Sequence, residues 1–280
     1  MVIDVDALVR LRMPRQARFV PRFLTRWLER LIHQRELNEV LQRMQGKDGV
    51  EAAQVALDYL DVHTEVEGME HVPAEGRYLF VSNHPLGGLD GLSLIAALGE
   101  RYEGRIRFLV NDLLMAVKPL RPVFLPVNKF GRQTRERAAE IEAQYSGDGQ
   151  MITFPAGLCS RMGSDGAIHD LQWQKFVVSH AISSQRHIVP MYFDGENSRF
   201  FYRMARWRKR LGIKFNLEML LLPGEMFKSR GSRYRVYVGE PIPWTRLDGS
   251  RPREEAQRLC DICYALRPSA PPASQTFDRK

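Results

Sequence analysis

A chain of 280 residues, 44% of them hydrophobic, is long enough to bury a substantial core, which predicts one large domain with or without a helical appendage. The formal net charge of +8 favours a polyanionic partner, either nucleic acid or an anionic membrane surface. Three cysteines (Cys159, Cys260, Cys263) are too few for a disulfide framework, which argues against a small disulfide-stapled domain.

The first residues, MVIDVDALVRL, carry two aspartates and no apolar run, so no signal peptide is expected. No window approaches the ~18 apolar residues of a membrane span. Residues 17–34, ARFVPRFLTRWLERLIHQ, form the clearest predicted helix. Val20, Phe23, Leu24, Trp27, Leu28 and Leu31 recur at helical spacing, with Arg22, Arg26 and Arg30 as a basic stripe. Such a helix suits the membrane interface, where Phe23, Trp27, Arg22 and Arg26 would face the lipid. It equally suits docking on the protein's own core. Two further helices are expected over 36–61, around GKDG.

From residue 64 short apolar strands alternate with helical stretches. The strands are predicted at 77–82, 105–110, 122–127, 150–154, 187–193 and 233–238, and helices near 91–102, 132–145 and 170–184. That alternation predicts an α/β domain with a largely parallel central sheet flanked by helices, behind an N-terminal helical segment. The expected division is a membrane-associating segment 1–65, an α/β domain 66–266 and a disordered proline- and serine-rich tail 267–280. Residues 199–214, RFFYRMARWRKRLGIK, interleave basic residues with Phe200, Phe201, Tyr202 and Trp207. No nucleic-acid-binding pattern accompanies them, so a membrane surface is the expected partner and nucleic acid is not. Cys260 and Cys263 lie in a stretch of helical period with no second C-x-x-C. They read as half-buried helix residues, and no metal is expected.

The chemistry points to SNHPLGGLDGLSL (82–94), a glycine-rich turn between an apolar strand and an apolar helix. Folded back on itself, this turn would let His84 and Asp90 meet although six positions separate them. A neutral imidazole can accept a proton near pH 7, and a carboxylate on its other nitrogen fixes tautomer and orientation. Three more segments end an apolar strand in a polar loop: PVFLPVNKFGR (122–132), MITFPAGLCSR (151–161) and HIVPMYFDGENSRFFY (187–202). In a parallel sheet such ends converge.

Together these four segments resemble the lysophosphatidate/glycerol-phosphate acyltransferase superfamily, the PlsC-like acyltransferases. Asn83, His84 and Asp90 are similar to its Asn-His-x4-Asp block, and FLPVNK to its strand ending in a basic residue. FPAGLCS (154–160) resembles Phe-Pro-Glu-Gly-Thr-Arg-Ser, and Ile188-Val189-Pro190-Met191 the strand ending Val-Pro. SNHPLGGLDG, LVNDLLM, FPAGLCSR and GEMFK further resemble the bacterial branch that O-acylates lyso forms of glycine and ornithine lipids.

The resemblance implies transfer of a fatty acyl group from an acyl thioester to a lysolipid hydroxyl, with His84 as base and Asp90 as its support. The donor would be acyl carrier protein or coenzyme A thioester, acting as co-substrate with no resident cofactor. Expected substrate-binding residues are Asn83, Gly88, Asn128, Lys129, Pro155, Ala156, Gly157, Ser160, Arg161 and Asn197. Lys129 or amides around Gly157 would hold the oxyanion. The expected location is peripheral, on the cytoplasmic face of the inner membrane.

Three departures stand out. The His-to-Asp spacing is one residue longer, Lys129 replaces an arginine, and Ala156 and Cys159 replace a glutamate and an arginine. Arginine's fork suits phosphate, so its absence agrees with an acceptor that is not a phosphate monoester, unless Arg132 or Arg161 compensates. A phospholipid acyltransferase, a thioesterase using Cys159 and a non-enzymatic membrane tether remain the alternatives.

Overall fold

The computed structural model describes residues 3–12, 21–127 and 135–268. It opens with four helices: α1 (Val5–Arg12), α2 (Arg22–Leu31), α3 (Gln34–Arg43) and α4 (Gly49–Leu60). The helix expected over 17–34 ends at Leu31, because His33 adopts the left-handed conformation (φ 53°) that separates α2 from α3. Its first residues lie outside the described ones. So do Asn128 and Lys129, Arg132, and all but the start of the expected tail.

The α/β part follows in the order β1 (His63–Glu67), β2 (Tyr78–Ser82), α5 (Leu89–Arg101), β3 (Ile106–Asn111), β4 (Phe124–Val127), α6 (Arg135–Ser146) and β5 (Gln150–Thr153). A two-stranded ribbon, β6 (Arg161–Met162) and β7 (Ile168–His169), precedes α7 (Phe176–Ser183) and β8 (His187–Asp194). The chain then forms α8 (Arg199–Arg210), α9 (Leu222–Lys228), β9 (Arg233–Val238) and α10 (Pro252–Ala265). Each of the six strands expected from the sequence is present.

The main sheet runs β1-β9-β8-β2-β5-β3-β4. Every neighbouring pair is parallel except β8–β9, so the sheet is mostly parallel and flanked by helices, as its alternating pattern predicts. β2 lies between β5 and β8 and is buried at all five positions, which places its carboxyl end deep in the molecule. Successive strand side chains alternate between faces. Tyr78 and Phe80 therefore join a core with α3, α4 and α5, whereas Leu79 and Val81 join another with α6, α7 and α10. α4 packs on α5, and buried residues of α3 and α4 join the first core.

A buried cation stitches the opposite end of the sheet. Arg186 has no exposed surface, and its guanidinium donates to the carbonyls of Tyr145 (2.7 Å), Gly149 (2.8 Å), Tyr78 (3.2 Å), Gln144 (3.4 Å) and Gly147. Burial, then the charge of Arg77, lowers its pKa to about 10, which still leaves it charged at neutral pH.

Candidate active site

Beyond Ser82 the chain can no longer pair as a strand, and the side chain of Asn83 takes over. Its Nδ2 donates to the Phe193 carbonyl (2.9 Å) and its Oδ1 accepts from the Phe193 N–H (2.7 Å), locking the turn to β8. Asn83 is only 2% exposed, and both ends of its amide are spent on the Phe193 backbone. Asn197 likewise donates through Nδ2 to the Pro85 carbonyl (3.0 Å).

The turn brings His84 Nδ1 to 2.9 Å from Asp90 Oδ2. The same oxygen accepts from the amides of Leu86 (2.8 Å) and Gly87 (3.2 Å), and Oδ1 accepts from that of Gly91 (2.9 Å). Asp90 also lies in the first turn of α5, where the helix dipole favours an anion. Burial pushes its pKa up, but the charge and hydrogen bond of His84 and the turn's amides outweigh it, and the carboxyl stays below its ordinary value. An ionised Asp90 requires the proton on Nδ1, which leaves Nε2 as the basic nitrogen. Among the described residues no side chain hydrogen-bonds Nε2, and the histidine side chain is 14% exposed. Phe154 stacks on the ring at 3.9 Å between centroids and 17° between planes.

Gly87 takes the left-handed position in the turn between His84 and Asp90. Its φ is +83°, and an added Cβ would lie 2.5 Å from Cys159 Sγ and 2.7 Å from Leu222. Gly88 caps α5 with open space around it and needs no such freedom.

The remaining expected binding residues divide differently from the sequence reading. Pro155 and Ala156 are buried, Ala156 within the core beside α7 and α10. The Gly157 N–H is spent on the Phe154 carbonyl (2.9 Å), so this amide is not one aimed at an oxyanion. Ser160 is 1% exposed; its N–H donates to the His84 carbonyl (2.8 Å) and its hydroxyl to Asp170 (2.7 Å). Arg161 turns away, donating to the Cys159 carbonyl (2.8 Å) and to Glu218 (3.0 Å), a fully buried carboxylate that also lies 2.8 Å from Arg208. It offers no uncommitted fork for a phosphate. Sequence reasoning missed Phe154 as a ring partner although it closes the expected strand 150–154, and missed Asp170 altogether, which stands at no expected strand end.

Cys159 is fully buried, and burial followed by the negative charge of Asp90 pushes its thiol up to about 12. A thiol held protonated and out of solvent is a poor nucleophile. Cys159→Ala and Cys159→Ser are expected to retain substantial turnover in an acyl-transfer assay. A covalent acyl group trapped on Cys159 would reverse this. Cys260 and Cys263 are likewise buried on α10, more deeply than their sequence suggests.

A carboxylate-supported imidazole at the end of a central strand of a mostly parallel sheet is an arrangement able to take a proton from a nucleophile there. The chain belongs to the acyltransferase family, whose model, described as "Acyltransferase", matches residues 8–270. It is 45% identical over 266 residues to a lyso-glycine lipid O-acyltransferase of Bacteroides thetaiotaomicron, covering 95% of this chain and 97% of that protein. A protein of the same name from Phocaeicola vulgatus is 42% identical over 266 residues, 95% of each chain. Among solved structures, the 1-acyl-sn-glycerophosphate acyltransferase PlsC from Thermotoga maritima matches with a TM-score of 0.49 and 15% identity, over 93% of this chain and 86% of that one.

Proposed function

We propose that this acyltransferase moves a fatty acyl group from an acyl thioester to the hydroxyl of a lysolipid, and that its acceptor is a lyso-glycine lipid. The observation that carries the reading is an imidazole tied through Nδ1 to buried Asp90, with Nε2 left to meet a hydroxyl. Two relatives above 40% identity, aligned over nearly their whole length and named for that acceptor, support its finer part. Arg161's commitment to Glu218 agrees with an acceptor lacking a phosphate monoester.

In the proposed reaction Nε2 takes the hydroxyl proton as the oxygen attacks the thioester carbon. The tetrahedral intermediate collapses with cleavage of the C–S bond, and the Nε2 proton passes to the departing thiolate. Asp90 stabilises the intervening imidazolium. The donor is an acyl carrier protein or coenzyme A thioester, and no resident cofactor takes part. Thiol release should be followed with each donor, with and without lyso-glycine lipid or lysophosphatidate. Release that depends on lyso-glycine lipid is expected. Acceptor-independent release would indicate a thioesterase, and a preference for lysophosphatidate would move the acceptor to phospholipid synthesis.

The same reading includes docking on the cytoplasmic leaflet. No described helix is long and apolar enough to cross a membrane. Much of the apolar side of α2 is open: Phe23 is 73% and Trp27 55% exposed, while Leu28 and Leu31 are half-buried and Thr25 is buried, and this exposure supports the reading. Trp207, Leu211 and Phe215 are also exposed, and Trp27 and Phe200 line one groove, which puts the start of α8 beside α2. Arg22, Arg26, Lys209 and Arg210 are exposed in these stretches, each contributing about 1 kcal/mol against anionic lipid. The protein should sediment with phosphatidylglycerol vesicles, poorly with phosphatidylcholine ones, and partly release in high salt. Phe23→Ser with Trp27→Ser should lower sedimentation more than activity on detergent-dispersed acceptor; a folded double variant that binds undiminished would place the surface elsewhere.

A further inference from the structure

Asp170 follows β7 and belongs to none of the sequence blocks, yet it reaches the catalytic turn from outside. Its Oδ1 accepts from the His84 N–H (3.1 Å) and from the Ser160 hydroxyl (2.7 Å). Ser160 returns the favour through its own N–H, which donates to the His84 carbonyl (2.8 Å). Both backbone polar groups of His84 are thus held by one Asp170–Ser160 unit, separate from the grip of Asp90 on the ring. Asp170 is itself fixed: Oδ2 accepts from Trp173 Nε1 (2.9 Å), and its N–H donates to the Tyr264 hydroxyl (2.8 Å) on α10. All side-chain partners are donors, which is the pattern of an ionised carboxylate.

Among the described residues no lysine or arginine forms an ion pair with Asp170, although burial raises its pKa and only these hydrogen bonds and the nearby His84 charge oppose the rise. A buried carboxylate without a cation is costly for folding. A neutral asparagine would keep one oxygen for the His84 N–H and the Ser160 hydroxyl, but would turn its NH2 towards Trp173 Nε1 and lose that bond. What the carboxylate also adds is charge beside an imidazole that becomes cationic as it accepts a proton.

We propose that Asp170 is a positioning residue for acyl transfer, fixing the His84 backbone and lending its negative charge to the imidazolium. The proposal rests on the reading of His84 as the base. Asp170→Asn keeps size and the oxygen shared by His84 and Ser160, and removes the charge together with the acceptor for Trp173 Nε1. With a palmitoyl thioester and lyso-glycine lipid, kcat should fall about ten- to a hundredfold, the usual cost of losing a group that orients a working imidazole from behind. The KM for the acceptor should stay within about twofold, the signature of an interaction made in the transition state. Ser160→Ala, which loosens the brace and keeps the charge, should lower kcat less.

A folded Asp170→Asn enzyme with normal kcat, or one whose loss tracks only its folded fraction, overturns the proposal. If that variant does not fold, Ser160→Ala decides: an unchanged kcat overturns the brace, and a reduced kcat at constant KM supports it. His84→Ala is the control. An inactive His84→Ala beside a fully active Asp170→Asn defeats this inference alone, whereas an active His84→Ala defeats the reading beneath it.

Discussion

His84→Ala is expected to lower acyl transfer by at least ~10²–10⁴-fold, the range for removal of a general base, while the protein stays folded. The fold should survive because the imidazole supports little beyond itself. Asp90 keeps the amides of Leu86, Gly87 and Gly91 when the ring is gone, and Asp170 and Ser160 hold only the backbone of residue 84. Asp90→Asn should also be severely impaired, since a carboxamide NH2 facing Nδ1 no longer demands the proton there. A circular-dichroism melt beside steady-state turnover separates chemistry from folding. A folded His84→Ala enzyme with near-normal turnover would remove His84 from the mechanism. The sign of Asp90's shift also fixes a pH dependence of stability. Its folded pKa is below the ordinary 3.8, so its stabilising share is present above that value and is lost as acid titrates the folded carboxylate.

Arg186→Ala should be the most destabilising single change away from the site, at about 3–5 kcal/mol or more. The guanidinium donates to carbonyls of Tyr78, at the start of β2, of Gln144 and Tyr145 in the last turn of α6, and of Gly147 and Gly149 in the α6–β5 connection. Its removal takes one donor from each of these carbonyls in a space water reaches poorly, although Tyr145 keeps its bond from Arg77 (2.9 Å) and Gln144 its bond from the Gly147 N–H (3.3 Å). Arg186→Lys, with three donors on a flexible stem, cannot serve the same set and should recover only part of the loss. Urea unfolding measures this directly. A loss under about 1 kcal/mol for Arg186→Ala would show that the carbonyls find water or other donors.

The strands of the central sheet are readable in sequence because burial on both faces demands continuous apolar runs, as in RYLFVS and HIVPMYF. β1 escapes that logic. Its HTEVE is polar and alternates exposed with half-buried positions, because it lies at the sheet's edge. The helix expected from 170 starts only at Phe176, since Asp170 first bonds the His84 N–H and the Gln174 N–H bonds the Pro155 carbonyl. α8 was visible as basic and aromatic composition, but its cap was not: Ser198 accepts from the Phe201 N–H and donates to Glu225, a partner 27 residues away.

At the site, the pairing of His84 with Asp90 is legible from glycine content and spacing together with the resemblance to the Asn-His-x4-Asp block. Which neighbours would touch substrate is not. Asn83, Ser160 and Arg161 are polar residues at the right strand ends, and each spends its polar atoms on protein partners contributed from distant sequence. A sequence shows that a group can bind; only the fold shows whether something has already taken its hand.

Asn83 draws a consequence from that distinction. Its carboxamide is a surrogate peptide unit, offering one donor and one acceptor side by side to a single residue of β8. It adds one more rung where the main chain has already left the sheet. Aspartate, ionised, has the acceptor and lacks the donor, so the Phe193 carbonyl would face a negative oxygen; leucine has the shape and neither pole. The demand for asparagine beside the histidine is therefore set by amide geometry and would persist in a relative that performed no acyl transfer at all.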